Sequence, residues 1–134
     1  GDNGELVGAG GRETLIGNNG ADILRGQGDN DTLQGLNGAD ILFGGTGNDI
    51  LEGGANNDIF ALVAGDGADT IQDFNAAEGD TLAMAGFGVT TFAGLQSHLS
   101  QQGGDVLVDF GAQGSFLLKD TLLSEITAAQ VSLG

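Results

Sequence analysis

The residue order of this chain repeats every nine positions between residues 8 and 61. Six consecutive blocks of nine, read from Gly8, place glycine first, an acidic residue sixth and a large apolar residue eighth. The acidic and apolar columns are Glu13, Asp22, Asp31, Asp40, Asp49 and Asp58, and Leu15, Leu24, Leu33, Leu42, Leu51 and Phe60. Columns that stay in phase over six blocks indicate a repeat architecture, in which each block is one structural unit stacked on its neighbours.

Each block combines a half that favours a turn with a half that favours a strand. Six residues rich in Gly, Asn and Asp form turns readily, and the three large or β-branched residues after them favour a very short strand. Such short strands are stable only when stacked, so we expect two parallel sheets with alternate blocks on opposite sheets. Because side chains alternate along a strand, the Leu and Phe column must face the interior. The pattern predicts an all-β fold, a parallel β-roll.

The two outer faces of the predicted roll differ in polarity. One face carries Ile23, Arg25, Ile41, Phe43, Ile59 and Ala61, and the other carries Thr14, Ile16, Thr32, Gln34, Ile50 and Glu52. The first face is the more apolar, so we expect the C-terminal part of the chain or a partner to cover it. The alternative is that these isoleucines are scattered surface residues of ordinary strands.

The charge and composition exclude several classes of protein. Nineteen acidic residues against three basic ones give a net charge of −16. A chain with so few cations cannot neutralise a row of phosphates, which excludes nucleic acid, and anionic membranes are disfavoured for the same reason. No apolar run approaches the roughly 18 residues of a membrane span, and the first residues lack the apolar segment of a signal peptide. The absence of Cys excludes disulfides and thiolate metal sites.

Stacked acidic residues need a cation between them. Adjacent rungs of a parallel sheet lie about 4.8 Å apart, and like charges at that distance repel by about 1 kcal/mol even in water. Lys and Arg are nearly absent, so the cation must come from solution. The available ligands are carboxylates and the carbonyls of glycine-rich turns, a set that selects Ca²⁺ over softer ions and over Mg²⁺. The alternative, Asp and Gly as simple turn formers, does not explain a fixed acidic column.

The blocks resemble the G-G-x-G-x-D-x-U-x nonapeptide of the RTX family, a calcium-binding repeat. Residues 44–52 meet this pattern fully, and the other blocks depart from it at one to three glycine positions. The resemblance implies a right-handed parallel β-roll in which each calcium lies between two turns that are one coil apart. The earlier turn would supply the carbonyls of positions two and four and its Asp. The later turn would supply the carbonyls of positions one and three and its own Asp.

Carried onto this sequence, the family pattern implies three calcium sites. They are Asn18, Gly20 and Asp22 with Gly35, Asn37 and Asp40; Gln27, Asp29 and Asp31 with Gly44, Thr46 and Asp49; and Leu36, Gly38 and Asp40 with Gly53, Ala55 and Asp58. A fourth would join Ala9, Gly11 and Glu13 to Gly26, Gly28 and Asp31. Glu13 departs from the pattern at that fourth site.

The nine-residue repeat dissolves after Ala61. Family members often close the roll with Asp-Phe followed seven residues later by Asp, a spacing that Asp73, Phe74 and Asp80 reproduce. The resemblance implies that these two carboxylates complete the last site. Their partners would be either Gly45, Gly47 and Asp49 or Gly54, Asn56 and Asp58. The alternative is that Asp73 and Asp80 are two ordinary loop acids.

The chain divides into a calcium-binding roll over residues 1–74 and a C-terminal cap over residues 75–134, expected to form one structural unit. Residues 1–7 are expected to be a shifted copy of the repeat. In the cap we expect a short helix over 90–99 with a Thr N-cap, and two strands over 105–110 and 115–119 around a glycine turn. Thr127 to Gln130 has the form of a capping box. Such a cap would close the open end of the roll, which otherwise exposes a sheet edge.

The sequence favours a non-catalytic module. His98 is the only histidine and has no acid or nucleophile at useful spacing, and no catalytic motif occurs. Resemblance to C-terminal RTX modules implies about four to six calcium ions and a secreted bacterial protein without an N-terminal signal peptide. It also implies a C-terminal signal for a type I secretion apparatus, and an upstream catalytic or effector domain that the folded roll stabilises.

Two other functions remain open. The chain is similar to the R-modules of mannuronan C5-epimerases, which implies an interaction with alginate, an anionic polysaccharide. With Arg12, Arg25 and Lys119 as its basic residues, direct binding of a polyanion would need calcium as a bridge. A surface adhesin or homo-oligomer would instead use the face around Ile41 and Phe43.

Overall fold

The computed structural model describes residues 4–133, and its strands stack into two sheets. The strands are β1 Gly4–Val7, β2 Thr14–Ile16, β3 Asp22–Arg25, β4 Thr32–Gln34, β5 Ile41–Phe43, β6 Ile50–Glu52, β7 Ile59–Val63, β8 Ala68–Ile71, β9 Thr81–Ala85, β10 Leu99–Gln102, β11 Asp105–Asp109, β12 Ser115–Leu118 and β13 Val131–Leu133. One sheet has the order β1-β3-β5-β7-β9-β13 and the other β10-β11-β12-β8-β6-β4-β2. Alternate blocks therefore lie on opposite sheets, and the predicted parallel β-roll is confirmed.

The pairing register reproduces the sequence period. In one sheet Leu24 lies opposite Leu42, and in the other Leu33 lies opposite Leu51, each pair one 18-residue coil apart. These leucines and Phe60 have no exposed surface. Each such side chain contributes about 1.5–3 kcal/mol when fully buried, so the apolar column contributes substantially to the stability of the roll.

Two further rungs follow Ala61, although the nine-residue period dissolves there. Strand β8 pairs with β6 at an offset of 20 residues, Thr70 opposite Ile50. Strand β9 pairs with β7 at an offset of 22 residues, Thr81 opposite Ile59. Extra residues in the connecting loops lengthen these two coils, which hides the nine-residue period while the stacking continues.

The C-terminal part contains the predicted helix and hairpin. Helix α1, Phe92–Gln96, starts after Thr91, whose hydroxyl accepts a hydrogen bond from the Gly94 amide at 3.1 Å. It is shorter than predicted, because Leu99 already belongs to β10. Strands β11 and β12 are antiparallel around a 3-10 turn, Gly111–Gln113. The other 3-10 turns are Ala76–Glu78, Leu123–Glu125 and Ala128–Gln130, the last carrying the predicted capping box.

This C-terminal part lengthens the roll and does not lie over its apolar outer face. Strand β12 adds to β8 in parallel, and β13 adds to β9 in parallel, so both sheets are extended at the same end. The expectation that the C-terminal part covers the face of Ile23, Ile41 and Ile59 is therefore wrong. Ile59 on that face keeps 37% of its surface exposed. Coverage by a partner stays a prediction.

The shifted repeat expected over residues 1–7 is described from Gly4 onward, where β1 pairs in parallel with β3. Residues 1–3, and Gly134 of the predicted C-terminal signal, lie outside the described residues. Among residues 4–133, no helix is both long and apolar enough to span a membrane.

Candidate metal centre

The acidic residues of successive turns form two columns, one along each edge of the roll. One column contains Asp22, Asp40, Asp58 and Asp80, and the other contains Glu13, Asp31, Asp49 and Asp69. In both, each acidic residue except the last donates its backbone N–H to a carboxylate oxygen of the next acid along the column. The distance is 2.8 Å from the Asp22 amide to Asp40 Oδ1, and 2.8 Å from the Asp31 amide to Asp49 Oδ1. From the second acid of each column onward, one carboxylate oxygen is thus used in joining the rungs.

The other carboxylate oxygen of these aspartates is buried and has no hydrogen-bond partner. This holds for Oδ2 of Asp31, Asp40, Asp49 and Asp58, and at the first rung for Oδ1 of Asp22. The side chains themselves are at most 2% exposed. A buried carboxylate oxygen without a donor carries a large desolvation cost. Five of them in register define places where a cation belongs.

Burial raises the pKa of several of these carboxyls. The pKa of Asp40 rises to about 6 and that of Asp58 to about 8, chiefly because burial disfavours the charged form. Burial likewise raises the pKa of Asp80 to about 6, and it raises the pKa values of the neighbouring Asp49 and Asp69. Backbone N–H donors lower the pKa in each case, but less than burial raises it. The folded roll thus disfavours ionised carboxylates unless positive charge is supplied.

Backbone carbonyls of adjacent turns converge on the same positions. From Gln27 onward, positions two and four of the roll turns lie in the left-handed region even where they are not glycine, with φ of 73° at Leu36 and 65° at Asp29. A Cβ added to Gly47 would collide with the carbonyl oxygen of Asp29, and one added to Gly45 with that of Gln27. The carbonyls of positions two and four therefore point at the following turn.

Position one contributes from the opposite side. A Cβ on Gly17 would lie 2.6 Å from Asp22 Oδ2 and 2.7 Å from the carbonyl oxygen of Gly35. A Cβ on Gly26 would lie 2.7 Å from Asp31 Oδ2 and 2.6 Å from the carbonyl oxygen of Gly44. The Asp side chain of one turn and the position-one carbonyl of the turn one coil later therefore lie in the same cleft.

This geometry brings together the residues of the three sites expected from sequence, because the two turns of each site lie next to each other, one coil apart. Gly38 packs on the Gly20 carbonyl, Gly54 on that of Leu36, and the Ala55 amide donates to Leu36 O at 2.8 Å. Among residues 4–133, no cluster of three or more His, Cys, Asp or Glu side chains could hold a metal. The oxygens present, two carboxylates and several carbonyls per cleft, are the donor set that Ca²⁺ prefers. The ligands themselves stay a prediction.

The last rungs decide between the two expected positions of Asp73 and Asp80. Asp73 accepts from the amides of Gly53 and Gly54, at 2.9 and 2.7 Å, and Asp80 Oδ1 accepts from the Asp58 amide at 2.7 Å. Both carboxylates therefore lie beside the turn of Gly54, Asn56 and Asp58. They do not lie beside Gly45, Gly47 and Asp49, so that alternative is wrong.

Asp69 takes the place above Asp49, and the sequence reasoning missed it. Its Oδ1 accepts from the Asp49 amide at 2.9 Å, and its side chain is 6% exposed. The signal was present, because Gly65, Gly67, Asp69 and Ile71 keep the spacing of positions two, four, six and eight. It was overlooked because residue 64, at position one, is Ala and the block is displaced by two residues.

At the first rung, Glu13 has the same local contacts as the aspartates. Its amide donates to Asp31 Oδ1 at 2.8 Å, and its Oε1 accepts from the Ala9 amide at 3.2 Å. The equivalent bond in the next block runs from the Asn18 amide to Asp22 Oδ2 at 2.8 Å. The longer glutamate side chain therefore occupies the position of an aspartate.

His98 takes part in packing of the cap. Its ring stacks on Phe110 with 4.1 Å between centroids, and its Nδ1 lies 2.9 Å from the carbonyl oxygen of Asp109. These contacts account for the histidine without any catalytic role.

Comparison with known proteins supports the assignment made from these columns. The fold and the oxygen-lined clefts define a parallel β-roll built from calcium-binding repeats. A sequence profile described as RTX calcium-binding nonapeptide repeat (4 copies) matches residues 7–42, 25–60 and 34–71. Residues 7–71 therefore consist of RTX calcium-binding nonapeptide repeats. No curated protein sequence matches the chain significantly.

Two solved structures show where such rolls occur. The extracellular lipase LipA from Serratia marcescens is 29% identical with a TM-score of 0.72, over 90% of this chain and 21% of the lipase. The chain thus spans about a fifth of that protein. The AlgE6R3 subunit of the Azotobacter vinelandii mannuronan C5-epimerase shares the fold, with a TM-score of 0.70 and 24% identity. That match covers 94% of this chain and 80% of the subunit.

Proposed function

We propose that this chain is a non-catalytic module that folds on binding calcium after type I export and then stabilises a domain preceding it in the same protein. The observation that carries the proposal is the set of five buried carboxylate oxygens without a hydrogen-bond partner. Their desolvation opposes folding until a divalent cation is bound. The similarity to part of an extracellular lipase supports a secreted parent protein.

The proposed calcium sites are the first three expected from sequence and two at the end of the roll. One of these two lies between the turn of Gly45, Gly47 and Asp49 and the turn ending at Asp69. The other lies between the turn of Gly54, Asn56 and Asp58 and the acids Asp73 and Asp80. Five divalent ions would bring the net charge from −16 to −6. The Glu13 cleft would hold a sixth, weaker site.

Calcium concentration then acts as the switch for folding. Where calcium is scarce, the acidic columns keep the chain unfolded, a state suited to passage through an exporter. Where calcium is abundant, it binds the folded state alone and shifts the equilibrium by mass action. Multiple sites along one roll add their contributions, so folding should be steep in calcium concentration.

Far-ultraviolet circular dichroism of the full chain tests the folding step directly. We expect a disordered spectrum in EGTA, a β spectrum in excess CaCl₂, and no comparable change with MgCl₂, because Mg²⁺ demands a stricter octahedral shell. A β spectrum of equal strength in EGTA and in calcium would contradict the proposal. Magnesium as effective as calcium would contradict the choice of ion.

Export needs a separate test. The chain co-expressed with a type I exporter should appear in the medium, and a variant lacking residues 128–134 should stay inside the cell while retaining calcium-induced folding. Export of both forms to the same extent would contradict a C-terminal signal in these residues, and retention of both would contradict type I export.

A further inference from the structure

Two turns of the roll begin the same stretch of sequence. Residues 19–24 and 37–42 both read Asn-Gly-Ala-Asp-Ile-Leu, and the asparagine is exposed in each. An asparagine followed by glycine readily loses its side-chain amide, because glycine has no side chain to obstruct the reaction. Since the residues that follow the two asparagines are identical, a difference in their reactivity must come from the fold.

The reaction starts at the backbone nitrogen of the glycine. This nitrogen loses its proton to water and bonds to the side-chain carbon Cγ of the asparagine, and the Cγ–Nδ2 bond breaks to release ammonia. Water then opens the cyclic imide at one carbonyl or the other. Opening at the side-chain carbonyl gives aspartate, and opening at the backbone carbonyl gives isoaspartate, whose main chain is longer by a methylene group. The contacts of the glycine nitrogen therefore control the rate.

The fold holds both reacting groups of the second pair between neighbouring coils. The Gly38 amide donates to Asn56 Oδ1, in the turn one coil later, at 2.9 Å. The leaving group is held as well, because Asn37 Nδ2 donates to Asn19 Oδ1, in the turn one coil earlier, at 2.9 Å. These two hydrogen bonds are released only when the rungs of the roll separate.

The first pair is held by a local contact alone. The residue one coil after Gly20 is Gly38, which has no side chain to accept a hydrogen bond. The Gly20 amide donates instead to Asn18 Oδ1, two residues earlier, at 2.8 Å. Asn18 is exposed, so this bond can open without separating the coils. In addition, the hydrogen bond from Asn37 Nδ2 draws electrons from the Asn19 carbon that is attacked.

The two turns also differ in backbone conformation. From Asp29 onward, position four of the roll turns lies in the left-handed region, with φ of 102° at Gly38. Gly20 occupies the same position and lies outside that region. The turn of Asn19 therefore lacks the conformation that constrains the later turns.

We propose that Asn19 is a site of spontaneous deamidation in the folded roll and that Asn37 is protected from the same reaction. The isoaspartate product lengthens the main chain between Asn18 and Gly20. The carbonyls of these two residues belong to the first proposed calcium site, so the modification should remove that site. This consequence rests on the proposed function, whereas the contrast between the two asparagines rests on the fold alone. Because ammonia is lost, the change marks the age of each molecule.

The experiment is incubation of the full chain in calcium at mildly alkaline pH, with tryptic digestion and mass spectrometry at successive times. Trypsin cleaves after Lys and Arg, so residues 13–25 and residues 26–119 form separate peptides, each with one Asn-Gly pair. We expect the acid form of Asn19 to accumulate about tenfold faster than that of Asn37, the effect of one additional hydrogen bond that must open. In urea with EGTA the two rates should become similar.

A variant of the acceptor tests the cause of the protection. Asn56→Gly removes the acceptor of the Gly38 amide, keeps the backbone carbonyl and suits the φ of 76° at this position. It reproduces at Asn37 the arrangement found at Asn19, and should raise the deamidation rate of Asn37 about tenfold. Asn57→Ala, at the exposed neighbouring position, is the matched control and should change neither rate.

The outcomes separate this inference from the proposed function. Equal rates at Asn19 and Asn37 in the folded chain, a faster rate at Asn37, or no effect of Asn56→Gly would overturn the inference. Circular dichroism records whether the chain is folded in each solution, and a chain that also folds in EGTA should show the same contrast there. The aged chain should bind one calcium ion fewer than aged Asn19→Gln by calorimetric titration. An unchanged number, with isoaspartate confirmed at residue 19, would contradict the first calcium site.

Discussion

The turns of the roll and the turn of the C-terminal hairpin stack on one another in the same sheet. They differ in the contacts that their backbone carbonyls make with the next rung. In the roll, Gly47 directs its carbonyl oxygen at the following turn, where Gly67 packs against it. One rung further on, the Gly67 carbonyl accepts the Ser115 amide at 3.0 Å. In the acidic column, Phe116 stands opposite Asp69. The last rung thus presents an amide donor to the Gly67 carbonyl and places an aromatic ring where the acidic column would continue.

This difference shows that stacking and calcium dependence are separable properties of the same geometry. The apolar column continues through both regions, since Leu118 lies opposite Ile71 and both are fully buried. Within residues 4–133, the buried acids all lie in the turns of the roll. The hairpin rung therefore ends the acidic column without ending the apolar core.

The largest effect should come from removing one carboxylate charge from an acidic column. Asp49→Asn keeps an oxygen to accept from the Asp31 amide, but it removes a carboxylate shared by two proposed sites. We expect a loss on the order of 3–5 kcal/mol of stability in calcium, by analogy with breaking a buried ion pair. Chemical denaturation in excess CaCl₂ measures it. Asp29→Asn is the matched control, since only the Asp29 carbonyl is used, and an equal loss there would refute the ligand pattern.

A substitution in the hairpin rung, where β12 pairs with β8, should destabilise the protein through lost apolar packing. Phe116→Ala removes a side chain that is 2% exposed, at a cost of about 3–5 kcal/mol. Calorimetric titration of the variant with calcium should nevertheless give the same number of bound ions as wild type. A smaller number of bound calcium ions per chain would show that the hairpin takes part in calcium binding.

A smaller effect is expected from crowding one calcium cleft. In Gly26→Ala the new methyl group would approach the Gly44 carbonyl oxygen at 2.6 Å and Asp31 Oδ2 at 2.7 Å, so both must shift. We expect a loss of about 1–3 kcal/mol in calcium. Gly10→Ala, a roll-turn position with nothing within 4 Å of the added Cβ, should leave stability unchanged. Equal behaviour of the two variants would argue against a filled cleft at Gly26.

The smallest effect concerns pH in the absence of calcium. Burial raises the folded-state pKa of Asp58 from 3.8 to about 8 and that of Asp40 to about 6. A raised folded-state pKa means that the folded chain binds more protons, so stability falls as pH rises from about 4 to 8. In EGTA, lowering the pH through that range should increase β structure by circular dichroism. An increase of β structure with rising pH would contradict the raised pKa values.

The repeating part of the molecule could be predicted well from the sequence because every coil has the same nine-residue period of turn and strand positions. Leu33 and Leu42 face inward since strand alternation leaves no other choice, and Thr91 caps its helix through a purely local hydrogen bond. The last two rungs escaped prediction because their spacing is set by loop length, which leaves no period to read around Asp69. The direction in which the C-terminal part packs also escaped, because the pairing of β12 with β8 depends on contacts far apart in sequence.

The most direct test of calcium binding between successive turns is anomalous diffraction at long wavelength from crystals grown in CaCl₂. The account predicts peaks in the clefts between successive turns, about 2.3–2.6 Å from the second carboxylate oxygens of Asp31, Asp40, Asp49 and Asp58. It also predicts no peak between Asp69 and Phe116. An intact roll whose carboxylate clefts show no anomalous peaks would contradict the account.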